Sequence, residues 1–215
     1  TIKGKKKDAH KYLKEVSQNK ALIAIVERIR NKLRNTKQLK VKDTLKFLTN
    51  SAKKYRESLN SKIIAITGSC GKTSLKDMLG FSLNKFYQTT YSKKSFNNKY
   101  GVPLSLLSIK KGDKFGVLEV GMDKKGEIDF LSNIIKPNVG VITNISFAHI
   151  KNFNNISQIA AAKGEIINNI NSNGYLVLNA DDRFFNFHRK LAFKKKIKIL
   201  SFSKNKKNTT VNIKK

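Results

Sequence analysis

Residues 61–84 have the sequence SKIIAITGSCGKTSLKDMLGFSLN, which gives the clearest indication of the fold class. Its continuous apolar run at residues 63–67 is typical of a strand buried in a parallel sheet. Glycine-rich residues follow the run, and residues 72–83 then favour a helix. A strand, a glycine-rich turn and a helix in this order direct backbone N–H groups and the helix dipole toward one anion. The sequence therefore predicts a phosphate-binding loop between this strand and this helix.

The predicted loop is shorter than the general pattern G-x-x-x-x-G-K-[ST], because Ile66 stands where that pattern has its first glycine. Lys72 is expected to reach the β- and γ-phosphates of ATP, and the Thr73 hydroxyl is expected to ligate Mg²⁺. The alternative is a chance Gly-Lys turn, which the flanking strand and helix disfavour. The predicted ATP-binding residues are Gly68, Ser69, Cys70, Gly71, Lys72, Thr73 and Ser74.

Beyond the loop, apolar runs alternate with helical segments, and this alternation predicts an α/β fold with a parallel sheet flanked by helices. Residues 1–60 have a different pattern, in which helices predominate, Asp43 is a predicted helix cap, and residues 21–26 fit either a short strand or a helix. We therefore predict two domains, part of a small α/β domain at residues 1–60 and a larger one at residues 61–215. In the larger domain, further strands are predicted at residues 86–90, 115–120, 139–144, 175–179 and 197–202, and helices at residues 101–109, 127–135 and 156–170.

The composition is strongly basic, with 45 Lys and Arg against 14 Asp and Glu and a formal net charge of +31. Such an excess ordinarily suggests nucleic acid or an anionic membrane. Here the charge is mostly lysine, spread along the whole chain beside abundant Asn and Ile, which is typical of an A+T-rich genome. A specific nucleic-acid reader would instead cluster its arginines and interleave aromatic residues. We therefore expect no specific nucleic-acid partner.

The chain has no apolar run of the roughly 20 residues that a membrane-spanning helix needs, and its first residues do not resemble a secretory signal. The single cysteine, Cys70, cannot form an internal disulfide. These features predict a soluble, cytoplasmic protein without membrane insertion, and we expect it to be a monomer.

A carboxylate side chain ends one of the predicted strands. Glu119 ends the strand at residues 115–120, and the carboxyl ends of parallel strands line the ligand crevice of such sheets. A carboxylate at this position is suited to ligate Mg²⁺, although a solvated strand end is the commoner fate of a lone glutamate.

The shortened loop resembles the one in the Mur ligase family, and several separate segments carry the same resemblance. SFNNKYGVP at residues 95–103 is similar to the segment N-x-N-N-x-x-G-V-P, with Ser95 where Asn is usual and Lys94 before it where Gly is usual. Each of the remaining segments matches a shorter family pattern. They are VLEVG (117–121), TNISFAH (143–149), IAAAKGEI (159–166), NADD (179–182), DAHKY (8–12) and VKDTL (41–45).

The resemblance implies roles for individual residues. It implies catalytic roles for Lys72, His149 and Lys163, and two Mg²⁺ ions held by Thr73, Glu119, His149 and Lys163. Lys163 would react with CO₂ to form a carbamate, which replaces a cation by an anion with oxygen donors. Asn97 and Asn98 would bind substrate. Without the resemblance, Lys163 is one lysine among many, residues 95–103 are an Asn-rich loop, and NADD is an Asx-capped turn.

The resemblance also implies an activity. The N-x-N-N-x-x-G-V-P segment is that of the family branch that joins D-alanyl-D-alanine to UDP-N-acetylmuramoyl-tripeptide in peptidoglycan synthesis, using ATP and an acyl phosphate. Residues 1–60 would be the later part of a UDP-sugar-binding domain, and residues 61–215 the first part of a central ATP-binding domain, both within a longer enzyme. The alternatives are a diaminopimelate- or glutamate-adding member of the family, a P-loop NTPase that binds nucleic acid, and a binding module without catalysis.

Overall fold

The structure, a computed structural model, describes residue 2 and residues 8–30, 36–147 and 152–212. The chain divides into two compact units, residues 1–51 and 52–215, and the division falls inside helix α2 (Thr44–Glu57). Whether residues 1–60 and 61–215 correspond to two domains of a longer protein stays a prediction. None of the helices described here has the length and apolar character needed to cross a membrane.

The first unit holds two short parallel strands and the helical segments around them. Strand β1 (Ile23–Val26) pairs with β2 (Lys37–Lys40), and a small core forms from Leu13, Ala24 and Val26. Within the run at residues 21–26, residues 23–26 thus form a strand, whereas β2 was not predicted, because its sequence KQLK is polar and largely exposed. The helical segments are a 3₁₀ turn at Ala9–Tyr12, α1 (Leu13–Gln18) and the first half of α2.

A series of hydrogen bonds joins residues 8–12 to residues 41–45, the two motifs of the first unit. The imidazole of His10 lies 2.6 Å from Asp8 Oδ1 through Nδ1, and its Nε2 accepts the backbone N–H of Glu27. Glu27 Oε1 in turn accepts both the backbone N–H and the hydroxyl of Thr44, and these bonds lower the pKa of Glu27. Residues 8–12 and 41–45 are therefore connected through Glu27, a residue outside both motifs.

The second unit is a seven-stranded sheet in which all paired strands are parallel, in the order β4-β5-β3-β6-β7-β8-β9. The prediction of a parallel α/β sheet flanked by helices is confirmed. Its strands are β3 (Lys62–Thr67), β4 (Thr89–Tyr91), β5 (Phe115–Glu119), β6 (Val139–Ile142), β7 (Tyr175–Asn179), β8 (Lys198–Ser203) and β9 (Val211–Asn212). Its helices beyond α2 are α3 (Lys72–Asn84), α4 (Gly101–Leu107), α5 (Glu127–Ile135), α6 (Ile156–Gly164) and α7 (Phe185–Lys194).

Strand β3 is the centre of the arrangement, because it pairs with β5 on one side and β6 on the other. Ile66 on one face of the sheet packs with Val117, Val141 and the apolar side of α3, while Ile63 and Ala65 belong to the larger core on the other face. The strand order reverses around β3, and ligands of open parallel sheets bind beyond the carboxyl ends of the strands at such a point. The loops after β3, β5 and β6 therefore meet at one edge.

Several element boundaries differ from the sequence prediction. The strand expected at residues 86–90 begins only at Thr89, since Phe86 and Tyr87 are exposed in the turn after α3. The strand expected to reach residue 144 ends at Ile142, and the helix expected over residues 156–170 becomes a 3₁₀ helix after Gly164. Helix α7 and strand β9 were not predicted.

Candidate active site

The loop between β3 and α3 depends on two glycines with positive φ. Gly68 has φ +145°, and a Cβ atom at this residue would lie 1.8 Å from Thr143 Oγ1. Gly71 has φ +78° and forms the N-terminal cap of α3, with open space where a Cβ would be. Both backbone conformations disfavour other residues, but only Gly68 is also required by the contact with the loop that follows β6.

Asn144 accepts hydrogen bonds from two of the backbone N–H groups that were expected to bind phosphate. Its carbonyl accepts the N–H of Ser69 at 2.9 Å, and its side-chain Oδ1 accepts the N–H of Cys70 at 3.0 Å. The Ser69 hydroxyl is held by the backbone of Ser146. The first amides of a helix have no partner within the helix, so the donors suited to an anion are those of residues 71–74.

Lys72 and Lys163 converge on one acceptor. The Nζ atoms of Lys72 and Lys163 lie 2.9 Å and 3.0 Å from the carbonyl oxygen of Gly68. Lys163 projects from α6 and is 1% exposed. Its burial and, to a smaller extent, the neighbouring positive charge of Lys72 lower the pKa of Lys163 from 10.5 to about 8. At this pKa, an appreciable fraction of the amine is neutral near neutral pH. The neutral amine is the form that reacts with CO₂.

Glu119 is the buried carboxylate of the site. It is 1% exposed at the end of β5, where its Oε2 accepts the Thr73 hydroxyl at 2.8 Å and its Oε1 accepts the side-chain amide of Asn97 at 2.7 Å. The carboxylate and the hydroxyl together are hard oxygen donors at the start of a helix, and this donor set fits Mg²⁺.

The two asparagines lie in different environments. Asn97 reaches Glu119, whereas Asn98 Oδ1 accepts the backbone N–H groups of Tyr100 and Gly101 and so caps the start of α4. Both asparagines and Lys72 line a cleft of about 600 Å³. The far side of this cleft is formed by residues 121–127 together with Phe130 and Leu131.

The structure brings only some of the predicted metal ligands into contact with one another. Thr73 and Glu119 are in contact, Lys163 is tied to Gly68 instead, and His149 lies outside the described residues. In the ranges that the structure covers, no three or more His, Cys, Asp or Glu side chains form a group that could hold a metal ion. The second ion predicted from the sequence stays a prediction.

The NADD turn has a structural explanation. Asn179 Oδ1 accepts the N–H of Asp181, and Asp182 accepts the N–H groups of Ile145 and Phe184. Asp181 accepts the Ser203 hydroxyl, and this bond lowers the pKa of Asp181. The turn thus supports the loop after β6 through Asp182.

Sequence reasoning missed Lys76, which lies one helical turn after Lys72. Lys76 is 0% exposed, and its Nζ donates to the carbonyl oxygens of Ser92 and Lys94. The sequence signal for the burial of Lys76 was its position on α3 beside the apolar Leu75 and Leu79. That signal was hidden because lysine is so common in this chain.

Most of the chain is similar to a known protein family and to proteins of that family. Residues 66–215 match the model of the Mur ligase middle domain. A UDP-N-acetylmuramoyl-tripeptide--D-alanyl-D-alanine ligase of Haemophilus influenzae is 35% identical over 193 residues, which are 88% of this chain and 42% of that protein. The chain thus spans less than half the length of this relative.

Solved structures agree with the sequence matches. A crystal structure of MurF from Acinetobacter baumannii superposes with a TM-score of 0.85 at 36% identity, covering 98% of this chain and 45% of that one. MurF from Thermotoga maritima, crystallised in complex with ADP, gives a TM-score of 0.80 at 29% identity, with 95% and 47% coverage. The glycine loop and the strand-end glutamate lie within residues 66–215, the region that the family model matches. The chain therefore belongs to the Mur ligase family.

Proposed function

We propose that this chain is part of an ATP-dependent ligase that joins D-alanyl-D-alanine to UDP-N-acetylmuramoyl-tripeptide in peptidoglycan synthesis. Residues 61–215 would be the first part of its central ATP-binding domain, and residues 1–60 part of its UDP-sugar-binding domain. The observation that carries the proposal is the contact series Thr73–Glu119–Asn97, which joins the phosphate loop to the N-x-N-N-x-x-G-V-P segment. The similarity to ligases of this name supports the choice of substrates.

ATP is the proposed nucleotide, supported by the complex of the Thermotoga maritima protein with ADP. The free amides of residues 71–74 and the ammonium of Lys72 would hold its phosphates. The carboxylate of the tripeptide attacks the γ-phosphate, which gives an acyl phosphate and ADP. The amine of D-alanyl-D-alanine then attacks the acyl carbon and releases phosphate. Phosphoryl transfer of this kind relies on positioning and charge neutralisation rather than on a protein nucleophile.

Two Mg²⁺ ions are part of the proposal. Thr73 and Glu119 would hold one, and His149 and carbamylated Lys163 would contribute to the other. Bound Mg²⁺ neutralises phosphate charge during transfer. Glu119 is suited to this role because it is buried and is oriented by Asn97 from the opposite side of the carboxylate.

The carbamate at Lys163 is supported by the environment of its amine. Burial favours the neutral form that reacts with CO₂, and the nearby charge of Lys72 favours it further. Once carbamylated, the side chain carries a negative charge that Lys72 would partly neutralise. We place this chemistry in the cytoplasm, where the nucleotide substrates would be available.

Replacement of Lys72 tests the proposed function. In the full-length enzyme, Lys72→Ala is expected to reduce acyl-phosphate formation by at least about 100-fold, because the γ-phosphate loses its charged donor. Trapping the acyl phosphate chemically and measuring ADP release would follow this step. Lys85→Ala, an exposed lysine just beyond the end of the same helix, is the matched control and should leave the rate unchanged. Near-normal turnover of Lys72→Ala would refute the assignment.

Replacement of Lys163 tests the carbamate separately. Lys163→Ala is expected to lose activity, and a short carboxylate such as acetate or propionate should restore part of it by supplying the missing anionic oxygens. Lys163→Ala with full activity in the absence of added carboxylate would exclude the carbamate role. This rescue is a better readout than mass spectrometry because carbamates are labile.

A further inference from the structure

Lys76 is a fully buried lysine that the proposed chemistry does not use. Its ammonium donates to Ser92 O at 2.8 Å and Lys94 O at 3.0 Å, and lies 2.8 Å from the carboxylate of Asp77. A buried charge is retained only when it is paired and hydrogen-bonded. These three acceptors meet that requirement, so the side chain holds a specific geometry.

The segment held by Lys76 leads directly to the asparagines of the cleft. Strand β4 ends at Tyr91, and residues 92–100 contain no helix or strand. Lys94 has a positive φ of 48°, a conformation that a lysine adopts rarely and that needs outside support. The ammonium of Lys76 supplies that support by binding the carbonyls on either side of residue 93.

Ser92 connects the same lysine to the backbone of Glu119. Its carbonyl accepts from Lys76, while its hydroxyl accepts the backbone N–H of Glu119 at 3.2 Å. Asn97, five residues further, donates to the Glu119 side chain. Backbone hydrogen bonds hold the two ends of this segment, from Ser92 N–H to Val117 O and from Gly121 N–H to Asn97 O, and the Lys76 ammonium holds the turn at Lys94 between them.

We propose that Lys76 is a positioning residue that fixes the Asn97–Asn98 segment relative to the phosphate-loop helix, and so determines how productively the muramoyl-peptide substrate is bound. Lys76 and the phosphate-binding Lys72 stand one turn apart on α3, so one rigid helix places both the nucleotide and the peptide-binding segment. Loss of Lys76 should therefore impair the use of the peptide and leave the binding of ADP intact. The kinetic part of this inference rests on the proposed function.

The kinetic experiment compares Lys76→Met and Lys85→Met in the full-length enzyme. Methionine keeps most of the apolar stem and removes the ammonium. For Lys76→Met, kcat/KM for UDP-N-acetylmuramoyl-tripeptide is expected to fall roughly 100-fold, the size of effect that misplacement of a binding group produces. The Kd for ADP, which lacks the γ-phosphate, should change by less than about twofold. Lys85→Met should change neither quantity. Lys76→Gln replaces Lys76→Met if the latter does not fold.

A second measurement does not depend on activity. Hydrogen exchange at the amides of residues 92–101 is expected to be faster in Lys76→Met than in the wild type, with unchanged exchange in β3. Equal losses of ADP affinity and peptide kcat/KM, or exchange that is faster throughout the sheet, would show a general structural role and overturn the inference. If the wild-type enzyme itself lacks ligase activity, the proposed function fails, and the exchange measurement alone decides whether Lys76 positions this segment.

Discussion

Gly68 and Gly71 both have positive φ angles, yet the structure gives them different reasons to be glycine. At Gly71 the constraint is the backbone conformation alone, since nothing lies within 4 Å of an added Cβ. At Gly68 the backbone conformation is joined by a close approach of Thr143 from the loop after β6. The shortened loop pattern identifies both glycines, but it cannot tell these causes apart, because Thr143 is distant in sequence.

Alanine at the two glycines should therefore have unequal effects. Gly71→Ala is expected to reduce the free energy of unfolding by about 1 kcal/mol through its φ angle. Gly68→Ala is expected to cost about 3 kcal/mol or more, because a steric clash is added to the strain. Urea unfolding monitored by circular dichroism measures both. Thr143→Ala should recover part of the loss in Gly68→Ala, and equal losses at the two glycines would contradict this account.

Lys163 gives a pH-dependent prediction. Its pKa is lowered to about 8 in the folded chain from 10.5, so the unfolded chain binds more protons between these values. Folding stability due to this residue must then rise as pH increases from about 8 to 10.5. Below about pH 8, burial of the charged amine costs about 3 kcal/mol.

Lys163→Met should remove that cost. In metal-free, bicarbonate-free buffer, we expect the variant to be more stable than the wild type by up to about 3 kcal/mol at pH 7, and the difference should shrink toward pH 10. Urea unfolding at the two pH values provides the test. Lys85→Met, at an exposed site, should show no such trend. A difference that is independent of pH would mean that the amine is not the cause.

Glu165 anchors helix α6 to helix α5. It follows α6, and its two carboxylate oxygens accept the N–H groups of Gly126 and Asp129 at the start of α5. The glutamate of the A-x-x-K-x-E-I segment is thus explained by helix capping, and a negative charge at this end also suits the helix dipole.

Glu165→Ala is expected to lower the free energy of unfolding by about 1 to 2 kcal/mol, the usual cost of a lost helix cap. Glu165→Gln should lose roughly half as much, because one acceptor oxygen remains. Thermal unfolding of both variants is the measurement, with Glu57→Ala at an exposed position as control. The same loss for Glu165→Ala and Glu57→Ala would show that the contacts with α5 do not contribute.

The elements also show what sequence can and cannot predict. Strands β3 and β5 were predictable because burial on both faces makes them continuous apolar runs. Strands β2 and β9 are short and largely polar or exposed, so they carry no such signal. Motifs located the loop, Glu119 and Lys163 in the candidate site. The contact between Lys76 and the 92–94 segment depends on tertiary packing, which no local pattern encodes.

The division of the chain into two compact units falls within α2, so a cut after residue 51 would divide a helix. Tyr55 donates to Ile109 O, and the buried guanidinium of Arg56 donates to the carbonyls of Ile135 and Leu59. These bonds lie inside the second unit. We therefore expect that a stable fragment containing the second unit must begin before α2.

Two fragments test this limit. The fragment 43–215, which keeps Asp43 as the cap of α2, is expected to unfold cooperatively. The fragment 58–215 should be less stable by about 3 kcal/mol or more, because each buried carbonyl left unpaired costs about 1 to 3 kcal/mol. Urea titrations compare the two. Equal stability would show that the bonds of Tyr55 and Arg56 contribute little.

The bond series Thr73–Glu119–Asn97 joins residues 46 and 22 positions apart in the chain. Thr73 lies at the start of α3, Glu119 at the end of β5 and Asn97 in the segment after β4, and the three come together only when β3, β4 and β5 have paired in parallel. Non-local pairing of this kind is slow to form. Recovery of this site during refolding would consequently be a late event, and a ligand of the loop would report on completed sheet assembly rather than on early helix formation.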